Sequence, residues 1–375
     1  MKNFLCSVLV LLLAASSSLQ INRPVATGGV DHFTEFCSFA SVAQNRIIAT
    51  LEEEERQFVA GAIGSDWREH ANVFQRDQWK RKATDSEEIE GEGITCVLQQ
   101  GNVFEKAGVS TTFATGILSK QRAEAISGRT GKKDIEAMVG TKYYAAALSL
   151  VLHSKSPMVP TFRSDVRYFE LSDRSGWFGG GSDLTPYVLY EEDISDFHQC
   201  LKANCDRHSP GLYYILKKQC DDYFYIPARE EYRGTGGIFF DDLSNIRNQD
   251  HETIGSSAGS VSQTYEDLTD VMNFVKDVCN SWMPSYLPIV RRRCKETYTP
   301  EQRHWQEIRR GRYIEFNMLY DRGVKFGLVP GGRVEAVFVS CPPKVAWDYK
   351  YQVNDEEQKL VDVLKKTKSW VPQYD

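Results

Sequence analysis

The sequence has no excess of basic residues and no paired cysteine motif. Its 45 Lys and Arg are outnumbered by 51 Asp and Glu, for a formal charge of −6, so no nucleic acid partner is expected. The nine cysteines are scattered without a C-x-x-C pair, which disfavours zinc ribbons and favours free, mostly buried thiols. Internal repeats and long Pro or Gly linkers are also missing, so residues 51–375 are predicted to form one domain.

Long apolar runs are missing too, apart from one at the amino terminus. Phe4–Ala15 follows Lys2, precedes small residues up to Ser18, and is shorter than the roughly 20 apolar residues of a membrane span. Residues 1–18 are therefore predicted to be a cleaved signal peptide for the secretory pathway, with no stable membrane span. Residues 19–50 could be a transit-like segment or an N-terminal helix. A two-part leader would fit a plastid, with a mitochondrion or another compartment as the alternative.

Hydrophobic periodicity predicts both strands and helices. A period of two predicts strands at Asn102–Thr115, Asp165–Leu171, Gly237–Asp241, Arg312–Tyr320 and Arg333–Ser340. Helical spacing predicts helices at Asp193–Cys205 with Asp193 as N-cap, from Ser209-Pro210 onward, and at Tyr265–Trp282. The last two strands are predicted to pair as a hairpin. We therefore expect an α+β fold, in which a large antiparallel β-sheet is flanked by helices on both faces of a single domain.

Two segments present carboxylates in settings that suit a ligand. Three glycines precede Asp183 in the segment 177–186, where backbone without side chains could approach a flat or bulky group. The segment lacks the G-x-x-x-x-G-K-[ST] pattern of phosphate-binding loops, and a plain glycine turn stays open. On the predicted strand 312–320, Glu315 and Asn317 share a face that Asp321 continues, which suits a polar ligand or a solvated face.

Two further segments carry paired charges. Alternation places Arg163, Asp165 and Arg167 on one side of a strand, where they could receive an anionic ligand or form a structural ion-pair ladder. Asp241 and Asp242 end another strand and indicate a metal only weakly. One of the two is expected to face solvent or to cap a following helix.

Five blocks of sequence, taken in order along the chain, resemble the oxygen-dependent coproporphyrinogen III oxidases. They are GNVFEKAGV, WFGGGSDLTPY, RGTGGIFFDDL, WQEIRRGRYIEFNMLYDRG and PGGRVEAVFVSCPP. The resemblance implies oxidative decarboxylation of coproporphyrinogen III to protoporphyrinogen IX in haem and chlorophyll synthesis. It also implies dioxygen as electron acceptor, no organic cofactor and a homodimer.

The resemblance also implies roles for particular residues. Asp183 and Asp321 would accept hydrogen bonds from the pyrrole N–H groups, and Asp321 is our candidate for the base, although the sequence does not separate it from Asp183. Cationic partners of the substrate propionates would be Arg167, Arg322 and Arg333. The other implied substrate-binding residues are Ser149, Asp165, Val166, Gly331 and Gly332.

The chain departs from the family pattern inside this presumed site. Arg163 stands where the family has a histidine thought to donate protons, and arginine stays charged and does not exchange protons at neutral pH. Asp165 replaces an asparagine, so the two changes compensate in net charge. Only His153 and His198 remain of four histidines suggested to bind a metal in bacterial relatives, and we predict no metal. These departures keep open a non-catalytic tetrapyrrole-binding paralogue or dimer partner.

Overall fold

Seven strands form one antiparallel sheet, in the order β1-β2-β3-β4-β5-β6-β9, in the computed structural model of the chain. The structure describes residues 31–60, 72–82, 89–120, 123–124, 135–246, 265–328 and 333–371. The strands are β1 Gln75–Arg81, β2 Ile89–Gln99, β3 Phe104–Ile117, β4 Lys142–Ser154, β5 Thr161–Leu171, β6 Gly176–Thr185, β7 Tyr225–Ile226, β8 Glu231–Tyr232 and β9 Gly236–Leu243. The short strands β7 and β8 pair separately.

Helices surround this sheet. They are α1 His32–Ala60, α2 Ile135–Met138, α3 Glu191–Asp206, α4 Leu212–Tyr223, α5 Tyr265–Arg293, α6 Pro300–Leu319, α7 Arg322–Gly327, α8 Val334–Phe338 and α9 Asp355–Lys365, with a 3₁₀ turn at Pro227–Arg229. No helix of the described residues has the length and apolar composition needed to cross a membrane. The signal peptide expected at residues 1–18 lies outside the described residues and stays a prediction.

The main hydrophobic core lies on one face of the sheet, under α1 and α5. On β5, Phe162, Val166 and Tyr168 are almost fully buried and point into this core, together with Phe36 of α1 and Trp282 of α5. Each such side chain contributes about 1.5–3 kcal/mol by leaving water. Helix α1 runs through residue 50 without a break and belongs to the same core as the sheet.

The opposite face of the sheet is covered by α6 and α8. The ring of Tyr313 in α6 lies edge-on to His153 of β4 at 5.3 Å, and Lys106 of β3 donates to the carbonyl oxygen of Phe338 in α8. Helices on both faces of an antiparallel sheet confirm the predicted α+β architecture. The eight cysteines from Cys37 onward are free, as expected.

Several predicted elements are confirmed, although their ends move. Strands β3, β5 and β9 and helix α3 lie where periodicity placed them. Asp193 is inside α3, whose N-cap is Tyr190, and it pairs with Arg293 instead of capping. Helix α4 begins after Gly211, not at Ser209-Pro210.

Helix α5 is longer than predicted. It continues past Trp282 through Pro284 and Pro288. Its final turns are held by burial, with Tyr286 fully buried and its hydroxyl donating to the carbonyl oxygen of Pro160 at 2.8 Å. This tertiary packing outweighs the cost of two prolines in a helix.

The predicted hairpin of Arg312–Tyr320 and Arg333–Ser340 is wrong, because both segments are helical. Tyr313, Phe316, Asn317 and Tyr320 have the i, i+3, i+4, i+7 spacing of one helix face as well as a partial period of two. The start of α6 has a clear signal, since Thr299 and Gln302 form a capping box just before and after Pro300. That signal lies thirteen residues before the misread segment, roughly four helical turns away.

Buried His198 should make stability depend on pH. Burial lowers its pKa to about 3, whereas the unfolded chain binds the proton near 6.5. The stabilisation is therefore present at neutral pH and is lost as pH falls from about 6.5 toward 3, amounting to about 2 kcal/mol between pH 7 and 5. In urea unfolding, His198→Gln should lose about this much of the pH dependence. The partly exposed His304→Gln is the control, and an unchanged slope in His198→Gln would contradict the prediction.

Candidate active site

A cavity of about 550 Å³ opens on the face of the sheet opposite α1 and α5. Strands β4, β5 and β6 form its floor, and β9, the end of α4 and the α6–α7 junction form its walls. Seven of the residues assigned to the site from the sequence line it: Ser149, Arg163, Asp165, Arg167, Asp183, Asp321 and Arg322. Residues from four separate segments of the chain therefore meet at one place.

Strand register explains why the floor residues share a face. Ser149 of β4 is directly opposite Asp165 of β5, and Arg163 of β5 is directly opposite Asp183 of β6. Directly paired residues project to the same side of a sheet, and residues two apart along a strand do as well. Gly179 of β6 adds room, because a Cβ there would lie 2.5 Å from Nε of Arg167.

The most buried charges of the cavity are Asp183 and Arg233. Nη2 of Arg233 donates to Oδ2 of Asp183 at 2.6 Å, while Nη1 donates to Oδ1 of Asn317 at 3.1 Å. The guanidinium lies over the ring of Phe224, 4.0 Å from its centroid. Burial raises the pKa of the Asp183 carboxyl, and the neighbouring guanidinium of Arg233 opposes that rise.

A chain of ion pairs lies along the wall of the cavity. Arg167 donates to Asp165 at 2.5 Å and to Oδ1 of Asp241 at 3.3 Å, and Oδ2 of Asp241 accepts from Arg322 at 3.1 Å. Asp241 thus bridges two arginines at the cavity wall, and Asp242 is buried. Neither acid is fully exposed to solvent, and whether one of them caps a following helix stays a prediction.

Asp321 is held at the junction of α6 and α7. It is the N-cap of α7, and its Oδ1 accepts from the backbone N–H of Val324 at 2.9 Å. It does not lie on a strand face with Glu315, as predicted, because that segment is a helix. Glu315 instead binds Arg229 on the outer side of α6.

Other sequence-predicted residues lie away from the cavity. Val166 is on β5, but its side chain is fully buried in the core on the far side of the sheet, so only its backbone is near the site. Arg333 packs over the ring of Trp79 and pairs with Asp77. Gly331 and Gly332 lie outside the described residues.

Arg333 nevertheless belongs to the same face of the sheet as the cavity. It donates to Oγ1 of Thr95 on β2. Four residues on successive strands are directly opposite one another and form a row across the sheet: Thr95, Ser110, Ser149 and Asp165. Three inter-strand spacings separate Thr95 from Asp165, about 14 Å. Arg333 therefore lies on the same face of the sheet as the cavity, next to the far end of this row.

Neither of the histidines considered as metal ligands reaches the cavity. His153 bonds Thr161 and the carbonyl oxygen of Ser340, and His198 bonds Tyr213 and the carbonyl oxygen of Thr235. Within the part of the chain that the structure describes, no three His, Cys, Asp or Glu side chains are grouped to hold a metal. The absence of a metal cofactor stays a prediction.

Comparison with known proteins decides the family. The family model described as coproporphyrinogen III oxidase matches residues 35–370. The chain belongs to that family. The mitochondrial oxygen-dependent coproporphyrinogen-III oxidase of Mus musculus is 43% identical over 305 residues, which are 80% of this chain and 63% of the mouse protein. The chain thus spans less than two thirds of that relative.

Insect and plant members of the family are similarly related. The oxygen-dependent coproporphyrinogen-III oxidase of Drosophila melanogaster is 43% identical, with 80% of this chain and 71% of the fly protein covered. The chloroplastic coproporphyrinogen-III oxidase 1 of Arabidopsis thaliana is 39% identical, with 80% and 72% covered.

Sequence reasoning did not assign part of the cavity wall to the site. Tyr223, Phe224, Arg233, Phe239 and Asp241 all line the cavity. The segment that holds the last three was noted for its glycines and paired acids, but nothing local says that its arginine reaches Asp183 on another strand. The contact follows only from the pairing of β9 with β6, which the sequence does not reveal.

Removing Arg233 should leave Asp183 buried without a counter-charge. We expect Arg233→Met to lower the free energy of unfolding by about 3–5 kcal/mol at pH 7. The loss should shrink as pH falls, because protonating Asp183 removes its charge. Urea unfolding at several pH values measures this. Arg229→Met, which breaks the exposed pair with Glu315, should cost about 1 kcal/mol or less, and an equal loss in both variants would refute the prediction.

Proposed function

We propose that this protein converts coproporphyrinogen III to protoporphyrinogen IX with dioxygen as electron acceptor. The observation that carries the proposal is one cavity in which two carboxylates, Asp183 and Asp321, lie among arginines above a floor of small residues. Relatives at 39–43% identity are named coproporphyrinogen-III oxidases. The substrate, activity and partners are proposals for this chain.

The chemistry of the substrate fits this arrangement. Its reduced macrocycle has four pyrrole N–H donors at the centre and four propionates at the rim. Carboxylates accept N–H donors through charge-assisted hydrogen bonds, and guanidiniums receive carboxylates as bidentate partners. Ala147, Ser149 and Gly181 on the floor leave space for a broad ring. The volume of about 550 Å³ is within the roughly 300–1,000 Å³ of small-molecule sites.

Asp321 is the better candidate for the base that removes a pyrrole proton. Burial raises the pKa of Asp183, but its Oδ2 is held at 2.6 Å by Arg233, so accepting a pyrrole proton there would break this buried ion pair. Asp321 accepts a backbone N–H from Val324. We therefore assign proton removal to Asp321, and to Asp183 the holding of the puckered macrocycle through its N–H groups.

The proposed reaction balances for each propionate. Deprotonation makes the pyrrole electron-rich enough to react with dioxygen. The side chain then loses its carboxylate as carbon dioxide and one hydrogen with two electrons, which leaves a vinyl group. Those two electrons, that hydrogen and one proton convert dioxygen to hydrogen peroxide. No metal or organic cofactor is needed for this balance, and we propose that none is used.

Assembly and location are further parts of the proposal. We propose a homodimer, as the resemblance implies. The plant relatives are named as chloroplastic and the mouse and human relatives as mitochondrial, which supports one of these organelles. A plastid reached through a two-part leader is our leading proposal.

A second candidate is a tetrapyrrole-binding paralogue without activity. Arg163 favours it, because this residue lines the cavity and its guanidinium does not exchange protons at neutral pH. The two candidates differ in turnover. Binding of coproporphyrinogen III without product would support the paralogue, and product would exclude it.

Replacing Asp321 by Asn should abolish turnover without unfolding the protein. Asparagine caps helices as well as aspartate does, so α7 should keep its start. Loss of a general base should lower kcat by about 10²–10⁴-fold. The assay incubates protein with coproporphyrinogen III in air and follows protoporphyrin fluorescence after oxidation of the product. Asp222→Asn, exposed on α4, is the control, and unchanged turnover in Asp321→Asn would refute its role as base.

A further inference from the structure

Of the residues that the structure describes, four arginines line the cavity, and three of them are already paired with carboxylates. The pairs are Arg167 with Asp165 and Asp241, Arg233 with Asp183, and Arg322 with Asp241. A guanidinium that is neutralised by protein carboxylates must exchange a partner before it can receive a carboxylate from a ligand. Most of the arginine charge that lines the cavity is therefore already neutralised by carboxylates of the protein.

Arg163 is different from the other three. Its Nη1 donates to the backbone carbonyl oxygens of Leu150 at 3.0 Å and of Ser164 at 3.2 Å. Among the described residues, no carboxylate lies within 4.0 Å of its guanidinium, and its Nε and Nη2 have no protein acceptor. Backbone oxygens orient this side chain without cancelling its charge.

Both acids that are closest to Arg163 in the sheet are engaged elsewhere. Asp183 is directly opposite it on β6, but Oδ2 of Asp183 accepts from Arg233. Asp165 is two residues along β5 and points to the same side, but it binds Arg167 at 2.5 Å. The charge of Asp165 thus lowers the capacity of Arg167, and not of Arg163, to bind an anion.

We propose that Arg163 is the residue that receives a carboxylate of the ligand, in place of Arg167, which Asp165 neutralises. The inference rests on the proposed function for the identity of the ligand, a tetrapyrrole with several propionates. Four residues along a strand separate Arg163 from Arg167, about 13 Å. The anion-binding position thereby lies at the end of the cavity where Arg163 is directly opposite Asp183.

Binding of coproporphyrin III, the oxidised and unreactive form of the macrocycle, tests this by fluorescence titration. Arg163→Gln should raise the Kd on the order of 10- to 100-fold, because a charge-assisted interaction is lost. Arg163→Lys should lose less, because it keeps the charge but not the fork of donors. Arg56→Gln, an exposed residue of α1, is the matched control for loss of one positive charge and should bind like the original protein.

A second substitution tests the role of Asp165. In the Arg163→Gln background, Asp165→Asn should restore most of the lost affinity, because it releases one carboxylate from Arg167. An unchanged Kd in Arg163→Gln, or no recovery on adding Asp165→Asn, would overturn the inference. So would failure of the original protein to bind coproporphyrin III.

The titration and the turnover assay can refute the two proposals separately. Normal product formation with an Arg163-independent Kd would overturn only the role of Arg163. An Arg163-dependent Kd without product would overturn the oxidase and leave the anion-binding role intact. Circular dichroism of each variant confirms that a change in Kd does not come from unfolding.

Discussion

The buried pair of Asp183 and Arg233 is the interaction on which the site depends. A carboxylate with so little exposure would be neutral or destabilising without a counter-charge. Arg233 supplies that charge and is held in turn by Asn317 and by the ring of Phe224. One guanidinium therefore connects β6 to the turn before β9 and to α6. The cavity keeps its shape because its walls are joined through the charges that line it.

One face of the sheet packs against the core and the other lines the cavity, for a simple geometric reason. Successive side chains on a strand alternate, so β5 can supply Phe162 and Val166 to the core and Arg163, Asp165 and Arg167 to the cavity. Charged residues on that second face need partners, and neighbouring strands provide them. A rigid, well-packed sheet then holds these ion pairs in fixed positions, whereas a loop would not.

Individual strands and helices can be predicted from the sequence more readily than the pairing of one strand with another. Alternation located β3, β5 and β9, and helical spacing located α3. The same alternation misled at 312–320, where i, i+3, i+4 spacing was equally present and the capping box at Thr299 decides for a helix. The bridge made by Asp241 could not be predicted, because it depends on the register of β6 with β9 and on where α7 begins. Motif resemblance, not periodicity, brought Asp183 and Asp321 together.

The family departures at positions 163 and 165 show that the effect of a charge depends on which neighbour it contacts. As a sum, Arg163 and Asp165 cancel, and the sequence suggests that they compensate each other. In the structure Asp165 binds Arg167 instead, so the positive and negative additions act on different neighbours. The net charge of the cavity is unchanged, but the guanidinium that stays unneutralised is at the other end of the strand. Two substitutions that are neutral in number can therefore move a binding position while the fold and the carboxylates around it stay the same.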